Sequence, residues 1–206
     1  MTGQDPRTAR SSQALIDAMT RILDSSTSPE LNVSDMVKEA GVSRPTFYQH
    51  FGDMKALVQA ATQDRLNATF NATQPITLNT SWAQFARTNF RLMLAEMNKN
   101  RTFYINVLRG VGGYTATNDV LEMIANKILD RSPMGPVLRT RKSPVSPLEQ
   151  AHFMSAGVVW LLARRILDES TEIHPEELAD HVGILLLHSA GVSQEDFNTA
   201  YPEYAN

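Results

Sequence analysis

Residues 31–57 have the sequence LNVSDMVKEAGVSRPTFYQHFGDMKAL, and this stretch decides the fold of the N-terminal part of the chain. Asn32 is placed to cap a short helix that ends at Gly41, because glycine enters the left-handed conformation without a Cβ penalty. Ser43 is placed to cap a second helix. Pro45 lies in its first turn, where the missing N–H breaks no hydrogen bond. The spacing therefore predicts two short helices joined by a tight turn, a helix-turn-helix.

The second of these helices has polar side chains on the face that is predicted not to pack. Phe47 and Phe51, four residues apart, are predicted to form its buried side. Arg binds guanine and Gln binds adenine through paired hydrogen bonds, the methyl group of Thr contacts thymine, and Tyr and His reach phosphate oxygens. Two short helices around a glycine also occur in many enzymes, so a purely structural role stays open. The residues predicted to bind double-stranded DNA are Ser34, Ser43, Arg44, Pro45, Thr46, Tyr48, Gln49 and His50.

The segment AGVSRPTFYQHFGDMKAL, residues 40–57, resembles the signature of the TetR family of bacterial regulators. The shared pattern is alanine, glycine, valine, a small capping residue, then an aromatic residue, Tyr, any residue, His and Phe. The resemblance is close over residues 11–65 and extends to the remainder only in its helical layout. The family commonly has Lys as a phosphate clamp where this chain has Met54. The resemblance therefore implies DNA binding, with the clamp role transferred to the neighbouring Lys55.

The composition is that of an ordinary globular protein and excludes several classes of chemistry. The chain has 206 residues, a net charge of −3 and no Cys, so it forms no disulfide and offers no thiolate for metal binding or nucleophilic attack. We find no signal-peptide pattern and no apolar run that would cross a bilayer, so we expect a cytoplasmic protein without membrane contact. Residues 1–65 carry seven Lys and Arg against eight Asp and Glu. This balance predicts modest phosphate clamping and a shallow salt dependence of DNA binding.

Helical spacing and capping signals divide the chain into two parts. Residues 1–10 are polar and are predicted to form a flexible arm. The residues after this arm show apolar side chains at helical spacing until residues 25–29, SSTSP. Asp53 is placed to cap a long helix that leads away from the helix-turn-helix. We therefore predict a DNA-binding domain over residues 1–65 and a larger helical domain for ligand binding and dimerisation over residues 66–206.

The second part of the chain has further helix signals and one proline-rich segment. Ser81 and Gln84 have the spacing of a capping box at the start of a helix. Residues 132–147 contain four prolines and are predicted to form a loop. Ser146 and Glu149, with proline between them at the first helical position, form the clearest helix start in the chain.

Residues 156–163, AGVVWLLA, are apolar on every face of a helix. A helix that packs on one side needs only one apolar stripe, so this segment is predicted to be buried on both sides. The second partner is predicted to be another copy of the chain, because most soluble oligomers are symmetric. With the last long helix, which begins at Pro175, it would form a four-helix bundle, as in TetR-like dimers. The predicted dimer interface consists of Val159, Trp160, Leu162, Ala163, Ile166, Leu178, Val182, Leu185, Leu186 and Ser189.

Aromatic and methionine side chains of the second part are candidates for lining a cavity, since Met adapts to varied apolar shapes. Each apolar candidate is also a candidate for ordinary core packing, and the polar candidates also fit an exposed surface. The residues predicted to line a pocket for an unidentified small-molecule effector are Phe85, Asn89, Phe90, Met93, Met97, Phe103, Tyr104, Val107, Tyr114, His152 and Phe153.

No pattern in the sequence predicts an active site, a cofactor or a metal centre. His181 and His188 are separated by two helical turns, about 10 Å, which is too far for both to bind one metal ion. The glycines at residues 110–113 are predicted to break a helix. They are not a dinucleotide-binding fingerprint, because no strand precedes them. We therefore expect a protein that binds partners and is not an enzyme.

These patterns and the family resemblance together predict an all-α, homodimeric repressor that binds a palindromic operator and responds to a ligand. An activator of the same fold is an alternative that the sequence does not separate from a repressor. A second alternative is a helical ligand- or partner-binding protein whose N-terminal helices do not contact DNA. The sequence does not identify the operator, the effector or the regulated genes.

Overall fold

The computed structural model of the protein describes residues 6–25, 29–71, 81–110, 113–168 and 174–205, with the side chains of residues 113–116 and 175 left out. Within these ranges the regular structure is helical throughout, so the predicted all-α class is confirmed. The helices are α1 (Pro6–Ser25), α2 (Val33–Ala40), α3 (Arg44–His50), α4 (Met54–Asn71), α5 (Trp82–Lys99), α6 (Arg101–Arg109), α7 (Gly113–Arg131), α8 (Met134–Thr140), α9 (Pro147–Leu167), α10 (Pro175–Ala190), α11 (Gln194–Ala200) and a 3-10 helix (Pro202–Tyr204).

The chain forms two compact units. The first comprises Met1–Ala68 and Asn100–Asn118, and the second comprises Thr69–Lys99 and Asp119–Asn206. The predicted second domain includes all residues after 65, whereas α6 belongs to the first unit. Helices α4 and α7 each begin in the first unit and end in the second. In the described part of the chain we find no helix with the length and apolar character needed to cross a bilayer.

In the first unit, α1 packs against α2, α3 and α6. Its buried residues include Leu15 and Met19, which fit the predicted helical stripe. Helix α6 is attached to α1 by a hydrogen bond from Nδ2 of Asn106 to the carbonyl oxygen of Leu23, at 2.8 Å. Helix α1 begins at Pro6, so residues 6–10 extend the helix instead of forming the predicted arm; residues 1–5 of that arm lie outside the described part.

In the second unit, α5 packs extensively along α10, and α9 contacts α5, α8 and α10. The predicted capping box at Ser146 is confirmed, since Glu149 donates its backbone N–H to Oγ of Ser146 and accepts from that residue in return. The predicted loop over residues 132–147 is wrong in one respect, because it contains α8. Met134 and Leu138 of α8 are buried, so packing against the unit stabilises a helix that the prolines had obscured.

The C-terminal segment packs onto the α5–α10 pair. The side chain of Tyr201 is fully buried, and a Cβ added to Gly183 of α10 would overlap its hydroxyl group and lie 2.8 Å from Cβ of Ala86. Arg87 of α5 forms ion pairs with Asp180, at 2.6 Å, and with Glu203. A glycine at position 183 therefore leaves the space that Tyr201 fills.

Candidate DNA-binding surface and ligand cavity

Helix α2 and the turn after it have the predicted capping geometry. The side chain of Asn32 accepts a hydrogen bond from the backbone N–H of Asp35 at 2.9 Å. Gly41 has φ 66° in the left-handed region. There it donates its N–H to the carbonyl oxygen of Lys38, at 3.3 Å. These contacts satisfy both ends of a helix of eight residues, which is too short to be stable alone.

Helix α3 begins at the predicted cap and buries the predicted aromatic side. Oγ of Ser43 accepts the backbone N–H of Thr46 at 3.2 Å, with Pro45 in the first turn. Phe47 is fully buried and Phe51 is nearly so. The α2–turn–α3 segment is therefore a helix-turn-helix whose second helix is anchored by two aromatic rings.

The outer face of α3 carries the residues predicted to read DNA. Arg44, Pro45, Tyr48 and Gln49 are exposed, and Thr46 is half-buried. Tyr48 is 57 % exposed, so its hydroxyl group is available to a partner, while its ring stands edge-on to Phe47 with the centroids 5.2 Å apart. The face therefore combines hydrogen-bonding side chains with a firmly positioned backbone, which suits base and phosphate contacts.

Two of the predicted DNA-binding side chains also make contacts within the unit. One guanidinium nitrogen of Arg44 donates to Oγ of Ser34 at 2.5 Å, which connects α3 to α2. Nε2 of His50 lies 2.7 Å from Oγ of Ser11 on α1. His50 was predicted to contact phosphate, but here it orients α3 relative to α1. The sequence did not signal this contact, because the two residues are 39 positions apart.

Two of the basic residues around the helix-turn-helix form ion pairs within the unit. Arg21 pairs with Glu39 at 3.0 Å, and both terminal nitrogens of Arg65 bind the Asp24 carboxylate at 2.7 Å. The exposed Lys38 and the half-buried Lys55 have no acidic partner in the described part of the chain. These two lysines and Arg44 supply most of the positive charge that remains for phosphate.

The second unit contains a cavity of about 500 Å³. Its wall is mainly apolar and includes a few polar and charged residues. The indole Nε1 of Trp82 donates to the carbonyl oxygen of Gly183 at 3.1 Å, which fixes one wall. The lining residues are Phe70, Asn71, Trp82, Phe85, Asn89, Phe90, Met93, Ile124, Lys127, Ile128, Asp130, Arg131, Ser132, Met134, Val158 and Leu186.

The cavity brings together four of the residues predicted to line a pocket, namely Phe85, Asn89, Phe90 and Met93. The cations of α7 and the aromatic ring of Phe70 were missed. The apolar residues of α4 and α7 indicated only core packing. The contact between Lys127 and Phe70 joins residues that are far apart in sequence, so no local pattern predicts it.

The other predicted pocket residues whose side chains the structure describes do not line this cavity. Three belong to α6 in the first unit, where they are buried, and Tyr114 has its side chain outside the described part. Phe153 points to solvent and is 75 % exposed. The prediction treated all aromatic and methionine stripes alike, although only some of them face the cavity. The described residues not found there are Met97, Phe103, Tyr104, Val107, His152 and Phe153.

The residues predicted to form a dimer interface separate into a buried and an exposed group. Trp160, at 59 %, and Leu185, at 50 %, are exposed, whereas Leu162, at 4 %, belongs to the core of the subunit. Val159 and Ala163 are half-buried, and Ser189 is exposed. The remaining members are core residues for the same reason as Leu162, since they face the other helices of the unit: Ile166, Leu178, Val182 and Leu186.

The two histidines tested for metal binding have other neighbours. The ring of His188 stacks on Phe197 with the centroids 4.8 Å apart. Nε2 of His181 lies 4.0 Å from a carboxylate oxygen of Glu177 on the same helix. The first contact joins α10 to α11, and the second lies within α10.

Comparison with known proteins assigns the N-terminal unit. Residues 29–61, which contain α2, the turn and α3, match the family described as bacterial regulatory proteins of the tetR family. The solved structure of the dihydroxyacetone kinase operon activator DhaS has a similar fold, with a TM-score of 0.57 and 17 % identity over 87 % of this chain and 96 % of that chain. No curated protein sequence matches the chain. The match lies on the segment whose geometry forms the helix-turn-helix, so the chain carries a DNA-binding helix-turn-helix of the kind found in bacterial regulatory proteins of the tetR family.

Proposed function

We propose that the protein is a repressor that binds a palindromic operator as a homodimer and is released by a small molecule. The observation that carries DNA recognition is the polar outer face of α3 on a helix fixed by two buried aromatic rings. Each α3 enters one major groove, and the two half-sites lie about one helical turn, roughly 34 Å, apart. The same geometry serves an activator, and the position of the operator relative to a promoter separates the two.

The exposed apolar face of α9 and α10 supports dimerisation. Phe153 and Trp160 lie seven residues apart on α9, on the same side as Gly157, and Leu185 is exposed on α10. Single exposed apolar residues are ordinary, but these belong to two contacting helices. A two-fold symmetric interface buries the same face of both copies, so one apolar face meets another. We therefore place the dimer interface on these exposed side chains and exclude Leu162 from it.

Helix α4 supports a link between the cavity and the DNA-binding helix. Asp53 lies two residues after Phe51, the C-terminal cap of α3. Its side chain accepts the backbone N–H of Ala56 at 2.8 Å and so caps the start of α4. The other end of α4 carries Phe70 and Asn71, which line the cavity. A ligand that contacts Phe70 therefore contacts the helix that follows α3. Such a ligand shifts the equilibrium between the DNA-binding state and the released state only by its difference in affinity for the two.

The decisive experiment selects DNA sequences from a random pool with the full-length protein and then tests two variants on the selected site. Arg44→Ala and Tyr48→Ala should each weaken operator binding about tenfold or more, because each removes a contact on the outer face of α3. Binding is measured by fluorescence anisotropy, with folding checked by circular dichroism.

Two matched controls exchange the same residue types on the second unit. Arg91 is exposed on α5 and pairs with Glu176, and Tyr204 is exposed near the C-terminus. Arg91→Ala and Tyr204→Ala should leave operator affinity unchanged. If no symmetric site is selected, or if the α3 variants bind as the controls do, the assignment of α3 as the reader fails.

A further inference from the structure

The side chains of the cavity wall are suited to the apolar part of a ligand. Trp82, Phe85 and Phe90 present aromatic surfaces, and Met93 adds a polarisable side chain that adapts to different shapes. A volume of about 500 Å³ lies within the range of cavities that hold drug-sized molecules. The wall therefore favours a ligand with a substantial apolar body.

Part of the lining of the same cavity is positively charged. Nζ of Lys127 lies 4.5 Å above the ring centre of Phe70, and Arg131 lies one helical turn further along α7. The carboxylate of Asp130 is engaged elsewhere, because it accepts a hydrogen bond from Arg139 at 2.6 Å. The pair Asp130–Arg139 is electrically neutral. Lys127 and Arg131 thus leave a net positive charge, with no acidic partner for either cation in the described part of the chain.

The Lys127 ammonium is destabilised where it lies. Burial lowers its pKa, and the nearby charge of Arg131 lowers it further. The contact with the face of the Phe70 ring offsets part of this cost. An anion placed beside Lys127 would stabilise the charged amine, because opposite charges favour the ionised form.

Asn89 adds a second polar group to the cavity wall. Its Nδ2 donates to the carbonyl oxygen of Phe85 at 2.9 Å, and since a carbonyl only accepts, the orientation of the amide is determined. Oδ1 is buried and has no hydrogen-bond donor among the described residues. Leaving an acceptor buried and unpaired costs stability, which a donor on the body of the ligand, separate from its anionic group, would recover.

We propose that the effector is a hydrophobic carboxylate, with its apolar body between the aromatic residues of α5 and its carboxylate on Lys127 and Arg131. The role of this ligand as an effector rests on the proposed function, whereas its chemical class rests on the cavity alone. A cationic ligand would face two like charges. A neutral ligand of the same shape would displace water from Lys127 without replacing it by a counter-charge.

The test measures binding of two carboxylates with different bodies, decanoate and 1-naphthoate, by isothermal titration calorimetry on the full-length protein without DNA. Their neutral counterparts, decanol and 1-naphthalenemethanol, are titrated in parallel. At least one carboxylate should bind about tenfold or more tightly than its alcohol, because a charge-assisted hydrogen bond is stronger than a neutral one. Equal binding of acid and alcohol in both pairs, or binding of neither acid, would overturn the assignment.

Variants of the cavity separate a specific site from general apolar binding. Lys127→Gln should weaken the carboxylate about tenfold to a hundredfold and leave the alcohol unchanged, while Lys127→Arg should retain most of the affinity. Lys142→Gln is the matched control, since Lys142 is exposed in the segment between α8 and α9 and does not line the cavity. Carboxylate binding that is unchanged in Lys127→Gln would overturn the role of Lys127.

The effect of a ligand on operator affinity is interpreted separately from its binding to the cavity. If carboxylates bind through Lys127 but operator affinity does not change, the ligand class stands and the proposed release mechanism fails. If the operator is released by neutral compounds that bind in the cavity and not by carboxylates, the release mechanism stands and the carboxylate inference is overturned.

Discussion

The outer face of α3 and the outer face of α9 are both exposed, yet they differ in chemistry. On α3 most exposed side chains are polar and include Arg44 and Tyr48, whereas those of α9 include Phe153 and Trp160, with the guanidinium of Arg164 over the Trp160 ring. A polar face keeps its hydrogen bonds when it meets a hydrated, charged duplex, and an apolar face gains only when water is excluded from both partners. Exposure by itself therefore does not identify a partner. Exposure together with side-chain chemistry predicts DNA for one face and a second copy of the chain for the other.

A salt titration should give the largest effect and should separate the two faces. If Lys38, Arg44 and Lys55 are the phosphate contacts, a dimer makes about six of them, so operator affinity should fall on the order of a thousandfold between roughly 50 and 200 mM salt. The dimerisation constant should hardly change, because the α9 face is mainly apolar. Anisotropy and sedimentation equilibrium measure the two constants. A slope of about −10 for log affinity against log salt concentration is typical of a strongly basic repressor. Such a slope would contradict the modest number of phosphate contacts expected for this DNA-binding unit.

A charge placed on the apolar face tests the dimer interface. Trp160→Glu should raise the dimer dissociation constant on the order of a hundredfold or more, because both copies lose a central aromatic side chain and gain like charges. Sedimentation equilibrium measures this constant. Leu92→Glu is the control, since Leu92 of α5 is also exposed and lies outside this face. Equal dimerisation of the two variants would move the interface away from α9.

Replacing a glycine by alanine on the buried side of α10 and on the exposed side of α9 compares how the two sides tolerate an added methyl group. Gly183→Ala should destabilise the fold by about 1–3 kcal/mol, because the new Cβ overlaps Tyr201. Gly157→Ala should stabilise it by about 0.5–1 kcal/mol, since nothing lies within 4 Å of the added Cβ and alanine favours helix. Both are measured by urea denaturation in the Trp160→Glu background, so that dimerisation does not contribute. A neutral Gly183→Ala would show that Tyr201 moves aside.

The buried tyrosine gives the smallest effect and contrasts with the exposed Tyr48. Burial raises the pKa of Tyr201 to about 12, above its ordinary value of 10.0. The folded state therefore retains a proton that the unfolded state has lost, so this contribution is fully present below pH 10 and disappears as pH rises towards 12.

Tyr201→Phe removes this titration together with a buried hydroxyl group that has no hydrogen-bond partner among the residues that the structure describes. The variant should be as stable as the wild type near pH 8, or slightly more stable, and should lose less stability between pH 10 and 12. Thermal unfolding followed by circular dichroism measures the difference. Parallel loss of stability in both proteins would show that the Tyr201 hydroxyl is reached by water in the folded state.

The predictions from sequence were most accurate where structure depends on neighbouring residues. The caps at Asn32, Ser43 and Ser146 and the left-handed Gly41 are all present as predicted, because each involves a contact over three or four positions. Helix α8 was missed for the opposite reason. Its prolines indicated a loop, and only burial of Met134 and Leu138 against distant helices stabilises it as a helix.

The predicted interface shows the same division. An apolar run such as residues 156–163 shows that several faces of a helix avoid water, but it does not show which residues meet the core and which meet a partner. The fold decides that Leu162 faces inward and that Trp160 faces outward.

Sequence alone determined the helix-turn-helix and its polar reading face, because capping boxes, turn glycines and the i, i+4 aromatic pair act within a few residues. Only the tertiary structure decided that His50 contacts Ser11, that α6 joins the first unit, and that Lys127 shares a cavity with Trp82 and Phe85. These contacts join residues that are far apart along the chain, and their geometry depends on how whole helices pack. Local physical chemistry therefore specified the reader of DNA, and helix packing specified the cavity and the exposed apolar face.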